Sequence, residues 1–128
     1  MAILYSEEGQ HKEAIAILEK VMTHLKALSH QKDARIEIRL LYSLAKSLTI
    51  EGQYDDSIHY CQRGSKLCLQ AESFYLFGEV TFQHGYNLLQ LNRKEEALVY
   101  LYRARNIFQL QNNVNFVSYI DEEIRYLD

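Results

Sequence analysis

Two thiols, five imidazoles and four clusters of carboxylates are the groups of this chain that could do chemistry. Cys61 and Cys68 lie seven residues apart. On a helix that spacing puts them on one face, but two turns hold their Cα atoms roughly 10 Å apart, beyond the reach of a disulfide. They read as free thiols packed in a core, as in a cytoplasmic protein. Among His11, His24, His30, His59 and His84 no two are spaced i, i+4, and there is no Cys-x-x-Cys, so no metal site is expected. The clusters Glu7-Glu8, Asp55-Asp56, Glu95-Glu96 and Asp121-Glu122-Glu123 have the composition of acid–base pairs. Most of them stand beside a turn that opens a helix, where a carboxylate faces water or offsets the helix dipole. A glycine-rich phosphate loop and a G-x-S-x-G elbow are both missing from the sequence. No enzymatic activity and no cofactor are expected.

The elements that would have to position any site are marked by a repeat. A turn residue is followed by polar or charged residues, then a small residue, then an aliphatic one. The pattern runs from Gly9 to Ala14 and Ile15, from Gly52 to Ser57 and Ile58, and from Asn92 to Ala97 and Leu98. The small residues are 43 and 40 positions apart. Nine positions before them stand Tyr5, Leu48 and Leu88; four after stand Leu18, Cys61 and Leu101. Small residues twelve before, Ala45 and Gly85, complete the frame. Two antiparallel helices approach closely only where a small residue faces the partner, and large apolar residues one turn away then fill the groove. Gly9, Gly52 and Asn92 suit the left-handed conformation that ends a helix.

The frame predicts an all-α fold, a right-handed α-α superhelix of tetratricopeptide-like hairpins with units of about 40 residues rather than the usual 34 or so. The repeats cover about 1–30, 31–71 and 72–112, with a capping helix over 115–127. The expected helices are a short one ending near Glu8, then His11–Ser29, Asp33–Glu51, Tyr54–Gln70, Glu72–Leu91, Lys94–Leu110 and Asn115–Leu127. Two positions depart from the repeat's pattern: His84 replaces the usual leucine, and Thr81 replaces a large residue. The first hairpin has lost most of its leading helix. The chain is therefore expected to be a piece of a longer protein, with Ala14, Leu18 and Val21 short of a cover.

Composition narrows the partners. Seventeen acidic against 14 basic residues give a net charge of -3, and no segment forms a basic stripe, so direct nucleic-acid contact by this chain is not expected. No run of 18 apolar residues and no signal-peptide pattern occurs, so no membrane association is expected.

The stretches Leu25–Leu28, Tyr42–Leu48, Gln53–Ser57 and Phe82–Gly85 resemble the C-terminal repeats of the PlcR-like family of peptide-sensing regulators, which groups the Rap, NprR, PlcR and PrgX proteins of Gram-positive bacteria. The resemblance covers nearly the whole chain. It implies a cytoplasmic receptor domain of a quorum-sensing transcription regulator that binds a short signalling peptide in the concave groove. It also implies an N-terminal helix-turn-helix domain, of which nothing is present here. A second use of the same frame is a scaffold that holds a protein tail without a signalling peptide. A third is a Rap-type phosphatase regulator.

Helical spacing alone assigns the groove. With Leu41, Leu44, Ala45 and Leu48 packed between helices, Arg39, Tyr42, Ser43, Lys46 and Thr49 remain on the groove side of one helix. With Gly85 and Leu88 packed, Glu79, Phe82, Gln83, Tyr86 and Gln90 remain on the next. Amides suit a peptide backbone, Arg39 or Lys46 a carboxylate, and the rings apolar side chains. The expected peptide-binding set is Arg39, Tyr42, Ser43, Lys46, Glu79, Phe82, Gln83 and Tyr86. By resemblance, Gln83 matches a peptide-contacting glutamine, while Ser43 stands where an asparagine does so. Tyr5, Tyr60, Tyr75, Tyr100 and Tyr102 are expected to pack between hairpins, and the last helix to serve as a cap, a lid or a homodimer surface.

Overall fold

The computed structural model describes residues 12–21 and 34–127. Among them there are six helices and no strand: α1 (12–21), α2 (Ala34–Ile50), α3 (Tyr54–Gln70), α4 (Phe77–Gln90), α5 (Lys94–Leu110) and α6 (Val114–Leu127). The expected helix ending near Glu8 lies outside the described residues. Helices α2 with α3 and α4 with α5 form antiparallel hairpins; α3 packs on α4, and α6 closes on α5.

One turn chemistry ends four helices. Gly52, Glu72, Asn92 and Asn112 all have positive φ, between 52° and 80°. The next amide in each case reaches back five residues: Gln53 to Leu48, Ser73 to Cys68, Arg93 to Leu88 and Asn113 to Phe108, at 2.8–2.9 Å. This satisfies a carbonyl that the helix end leaves orphaned. After Gly52, Asn92 and Asn112 the next helix begins two residues on.

The connection after Glu72 departs from expectation. Helix α4 begins at Phe77 rather than at 72, because residues 72–76 form an open turn. Glu72 ends α3 in the left-handed region, the Tyr75 amide donates to Ser73 Oγ at 3.1 Å, and Leu76 at φ 56° breaks the helical path once more.

The core forms where the repeat places small residues. Ala45, Ser57 and Ala97 have no exposed surface. A Cβ on Gly85 would stand 3.1 Å from Leu101 Cδ2 and 3.3 Å from the Ala97 carbonyl, so α4 and α5 cross at glycine distance. Leu41, Leu44 and Leu48 join Ile15 in one cluster, Ile58, Leu88 and Ala97 form the next, and Leu101, Ala104 and Phe108 meet Ile120 and Ile124 of α6 in a third. In α1, Ala14 and Leu18 are half-buried and Val21 is exposed. Of the tyrosines expected between hairpins, Tyr60, Tyr75 and Tyr100 are half-buried, whereas Tyr102 lies half exposed on the outer face of α5. Tyr102 follows Leu101, which points into the core, so helical geometry turns it away. Tyr5 lies outside the described residues.

Candidate functional site

Helices α2 and α4 touch directly, which brings the faces assigned to the groove side by side. On α2, Tyr42, Ser43, Lys46 and Thr49 are half-buried and Arg39 is exposed; on α4, Glu79, Phe82 and Gln83 are half-buried and Tyr86 and Gln90 are exposed. All eight residues expected to bind peptide therefore lie on the two helices that sequence spacing assigned to the groove.

The chemistry of this face is set by neighbours. The Lys46 ammonium lies 5.2 Å from the centre of the Tyr42 ring, a cation–π contact. Burial, and then the nearby Glu79 charge, push the Tyr42 hydroxyl up to about 12, so it stays a neutral donor at physiological pH. Phe82 tilts against Tyr119 of α6 with ring centres 5.7 Å apart, so α6 borders the face at this end. Burial, Glu123 and Tyr86 raise the Tyr119 hydroxyl as well.

Beneath the face runs a buried polar network. Gln83 Nε2 donates to Thr49 Oγ1 at 2.9 Å, and Thr49 Oγ1 donates to Asn87 Oδ1 at 2.7 Å. Asn87 Nδ2 donates to Ser57 Oγ at 2.8 Å, and Ser57 Oγ donates to the Ala45 carbonyl at 2.7 Å. Each hydroxyl has one proton, so with Thr49 donating to Asn87 and Ser57 to Ala45, the approaches of Thr49 Oγ1 to the Ala45 carbonyl at 3.0 Å and to Ser57 Oγ at 2.9 Å are alternatives that compete for the same protons. The chain of bonds ties α2, α3 and α4 together and holds the Gln83 amide at the surface. Sequence reasoning placed Gln83 and Thr49 on the groove but saw Ser57 only as a small residue and missed Asn87. A signal existed: forty residues earlier Ser47 is also polar and buried, so this position is polar in both repeats.

Several of the other chemically able groups are engaged structurally. Cys61 and Cys68 are free and buried. Burial pushes their thiols up to about 12 and about 11, far from the thiolate a nucleophile needs. Glu96 pairs with Arg93 at 2.7 Å, Asp121 with Arg105, and Glu122 with Arg125 at 3.0 Å. Among the described residues no group of three or more His, Cys, Asp or Glu could hold a metal ion, and no helix is long and apolar enough to cross a membrane.

The family model of the RNPP family C-terminal domain matches residues 1–127. The chain belongs to this family. No curated protein matches it in sequence. Among solved structures, the RNPP domain described here is similar to PlcR of Bacillus thuringiensis, determined in complex with the peptide PapR7 and DNA, with a TM-score of 0.82 at 22% identity. The match covers 93% of this chain and 42% of PlcR, so the chain spans less than half the length of that protein. The likeness establishes the helical-repeat fold of the RNPP domain.

Proposed function

We propose that this RNPP domain is the peptide-binding regulatory part of a quorum-sensing transcription regulator, and that a short signalling peptide lies along the concave face of α2 and α4. Arg39, Tyr42, Ser43, Lys46, Glu79, Phe82, Gln83 and Tyr86 are the residues assigned to it. The observation that carries the reading is the Gln83 amide. Thr49 fixes it by one N–H at 2.9 Å, which leaves a second N–H and Oε1 oriented for a peptide backbone. Arg39 and Lys46 supply positive charge for a peptide carboxylate, opposite Glu79 for a peptide ammonium or hydroxyl. The neutral Tyr42 hydroxyl adds a donor, and Phe82 with Tyr86 an apolar wall. The family match over the chain and the PlcR–PapR7 complex of its structural neighbour support the same reading. The reading assigns no catalytic step, a cytoplasmic location, and a homodimer through the exposed aromatic residues of α6; DNA contact is left to a separate domain of the full-length protein.

The test is calorimetry of the full-length protein with PapR7 and with any short secreted peptide encoded beside its gene. Losing a buried polar contact leaves its partner unsatisfied, so Gln83→Ala is expected to weaken binding on the order of 5- to 150-fold. Glu96→Ala, on an outer turn, is expected to leave affinity unchanged. Equal behaviour of the two variants would remove Gln83 from the site. A full-length protein that binds no short signalling peptide but holds another protein's tail through this face would favour the scaffold instead.

A further inference from the structure

A second concavity lies on the opposite side of α4. At 100° per residue, Phe77, Thr81 and His84 fall about half a turn around the helix from Glu79, Phe82, Gln83 and Tyr86. There α3 and α5 diverge over a cleft of about 490 Å³, within the range of small-molecule sites. Thr81 and His84 form its floor. These are the two residues at which the sequence departs from its own repeat pattern.

The preceding step of the solenoid shows what normally fills this place. Forty residues before Thr81 and His84 stand Leu41 and Leu44, both fully buried in the cluster that α1, α2 and α3 share. The wall repeats as well. Tyr60 and Arg63 recur as Tyr100 and Arg103, and each arginine lies over its tyrosine ring, at 5.4 and 5.0 Å. In the earlier step a carboxylate completes the arrangement: the Tyr60 hydroxyl donates to Glu19 Oε2 at 3.0 Å. The residue that corresponds to Glu19 in the later step, 43 positions on, is Gln62, which lines the cleft. The later step thus keeps the tyrosine and the arginine but has exchanged the carboxylate for an amide and two packed leucines for a threonine and an imidazole. No carboxylate pairs with Arg103 among the described residues.

We propose that this cleft is a second ligand site of the chain, for a small aromatic carboxylate. Its carboxylate takes the place of Glu19 in the earlier step, against Tyr100 and Arg103, with Lys66 also on the wall. Its ring lies over Thr81 and His84, which stand in the place of the two leucines, and against Phe77 and Ile107. The aromatic class follows from the surfaces available: Leu69, Phe77 and Ile107 make an apolar wall, beside the edge of the His84–Tyr100 pair, whose rings stack with centres 3.8 Å apart. His84 is only 4% exposed yet has no hydrogen-bond partner among the described residues. It stays neutral at physiological pH, so it offers a polar edge to a ligand without repelling or trapping it. The site is independent of the peptide groove, because it occupies the other face of α4.

The experiment titrates the full chain with 2-naphthoate, its neutral isostere 2-naphthamide, and octanoate, by calorimetry and by amide chemical shifts. Saturable 2-naphthoate binding is expected, with shifts at Thr81, His84 and Ile107 and none at Gln83. The amide and octanoate are expected to bind at least about 10-fold more weakly, since charge-assisted bonds and ring stacking are both needed. Gln62→Glu restores the internal carboxylate and is expected to abolish naphthoate binding. Thr81→Leu with His84→Leu restores the packed step and is expected to abolish binding while raising the melting temperature. Ile107→Trp fills the cleft from α5 and serves should that double variant misfold. Gln83→Ala is expected to change nothing here. Equal affinity for naphthoate and the amide, octanoate binding as tight as naphthoate, unaltered binding in Gln62→Glu or in a folded filled variant, or no binding at millimolar naphthoate would each overturn the proposal.

Discussion

Acid is expected to loosen this fold through His84. Burial, then the positive charges of Arg103 and Arg93, lower its imidazole to about 4 from an ordinary 6.5, against a smaller opposing effect of Glu96. Lys66 lines the same cleft, and the ring stacks on Tyr100 at 3.8 Å. Because the folded value lies below the unfolded one, the unfolded chain takes up the proton first. Stability is therefore full above pH 6.5 and falls as the pH drops from there to about 4. Between pH 7 and pH 5 the linkage amounts to about 2 kcal/mol if the whole displacement is expressed, and about 1–2 kcal/mol once solvent entering through the cleft is allowed for. The assay is urea denaturation of the wild type and His84→Gln at both pH values. Carboxylates that titrate in the same range are common to the two proteins and cancel in the difference. The wild type is expected to lose about 1–2 kcal/mol more than the variant between pH 7 and pH 5. Equal losses would show that the imidazole is not held neutral by its surroundings.

Two further perturbations probe the frame itself. Gly85→Leu puts a branched side chain where even a Cβ would lie 3.1 Å from Leu101 and 3.3 Å from a backbone carbonyl. Overpacking of that kind is expected to cost about 1–3 kcal/mol or more, read as a lower melting temperature, with Gly85→Ala costing much less because Leu101 can give way. Asn87→Leu leaves Thr49 and Ser57 without their amide partner and is expected to cost about 1–3 kcal/mol in urea denaturation. A loss in Asn87→Leu no larger than in the surface variant Asn106→Leu would show that the network contributes nothing to stability.

The parts of this fold that sequence reveals are those that a single residue type dictates. Gly52 and Asn92 tolerate positive φ, and the turns are where those residues stand. Glu72 and Leu76 adopt the same region with no such licence, held there by the backbone bonds of the turn and the packing of α3 on α4, so the start of α4 could not be read from residue types. The groove followed from subtraction: once Leu41, Leu44, Ala45 and Leu48 are spent on the core, spacing leaves only one face for Tyr42 and Lys46. Subtraction fails where a polar residue is itself in the core. Ser57 stands in the frame as a small residue and Asn87 repeats the polar Ser47, but neither residue type states that it is hydrogen-bonded in the core, and that role appears only when α2, α3 and α4 converge on Thr49. Thr81 and His84 are the instructive middle case. As departures from the repeat they were visible, but a departure states only that the usual packing is missing. What takes its place becomes a chemical question when the earlier step, with Leu41, Leu44 and Glu19 present, can be compared with it in three dimensions. An inexact repeat thus carries information that an exact one lacks: each copy is the reference against which the other's losses acquire a shape and a charge.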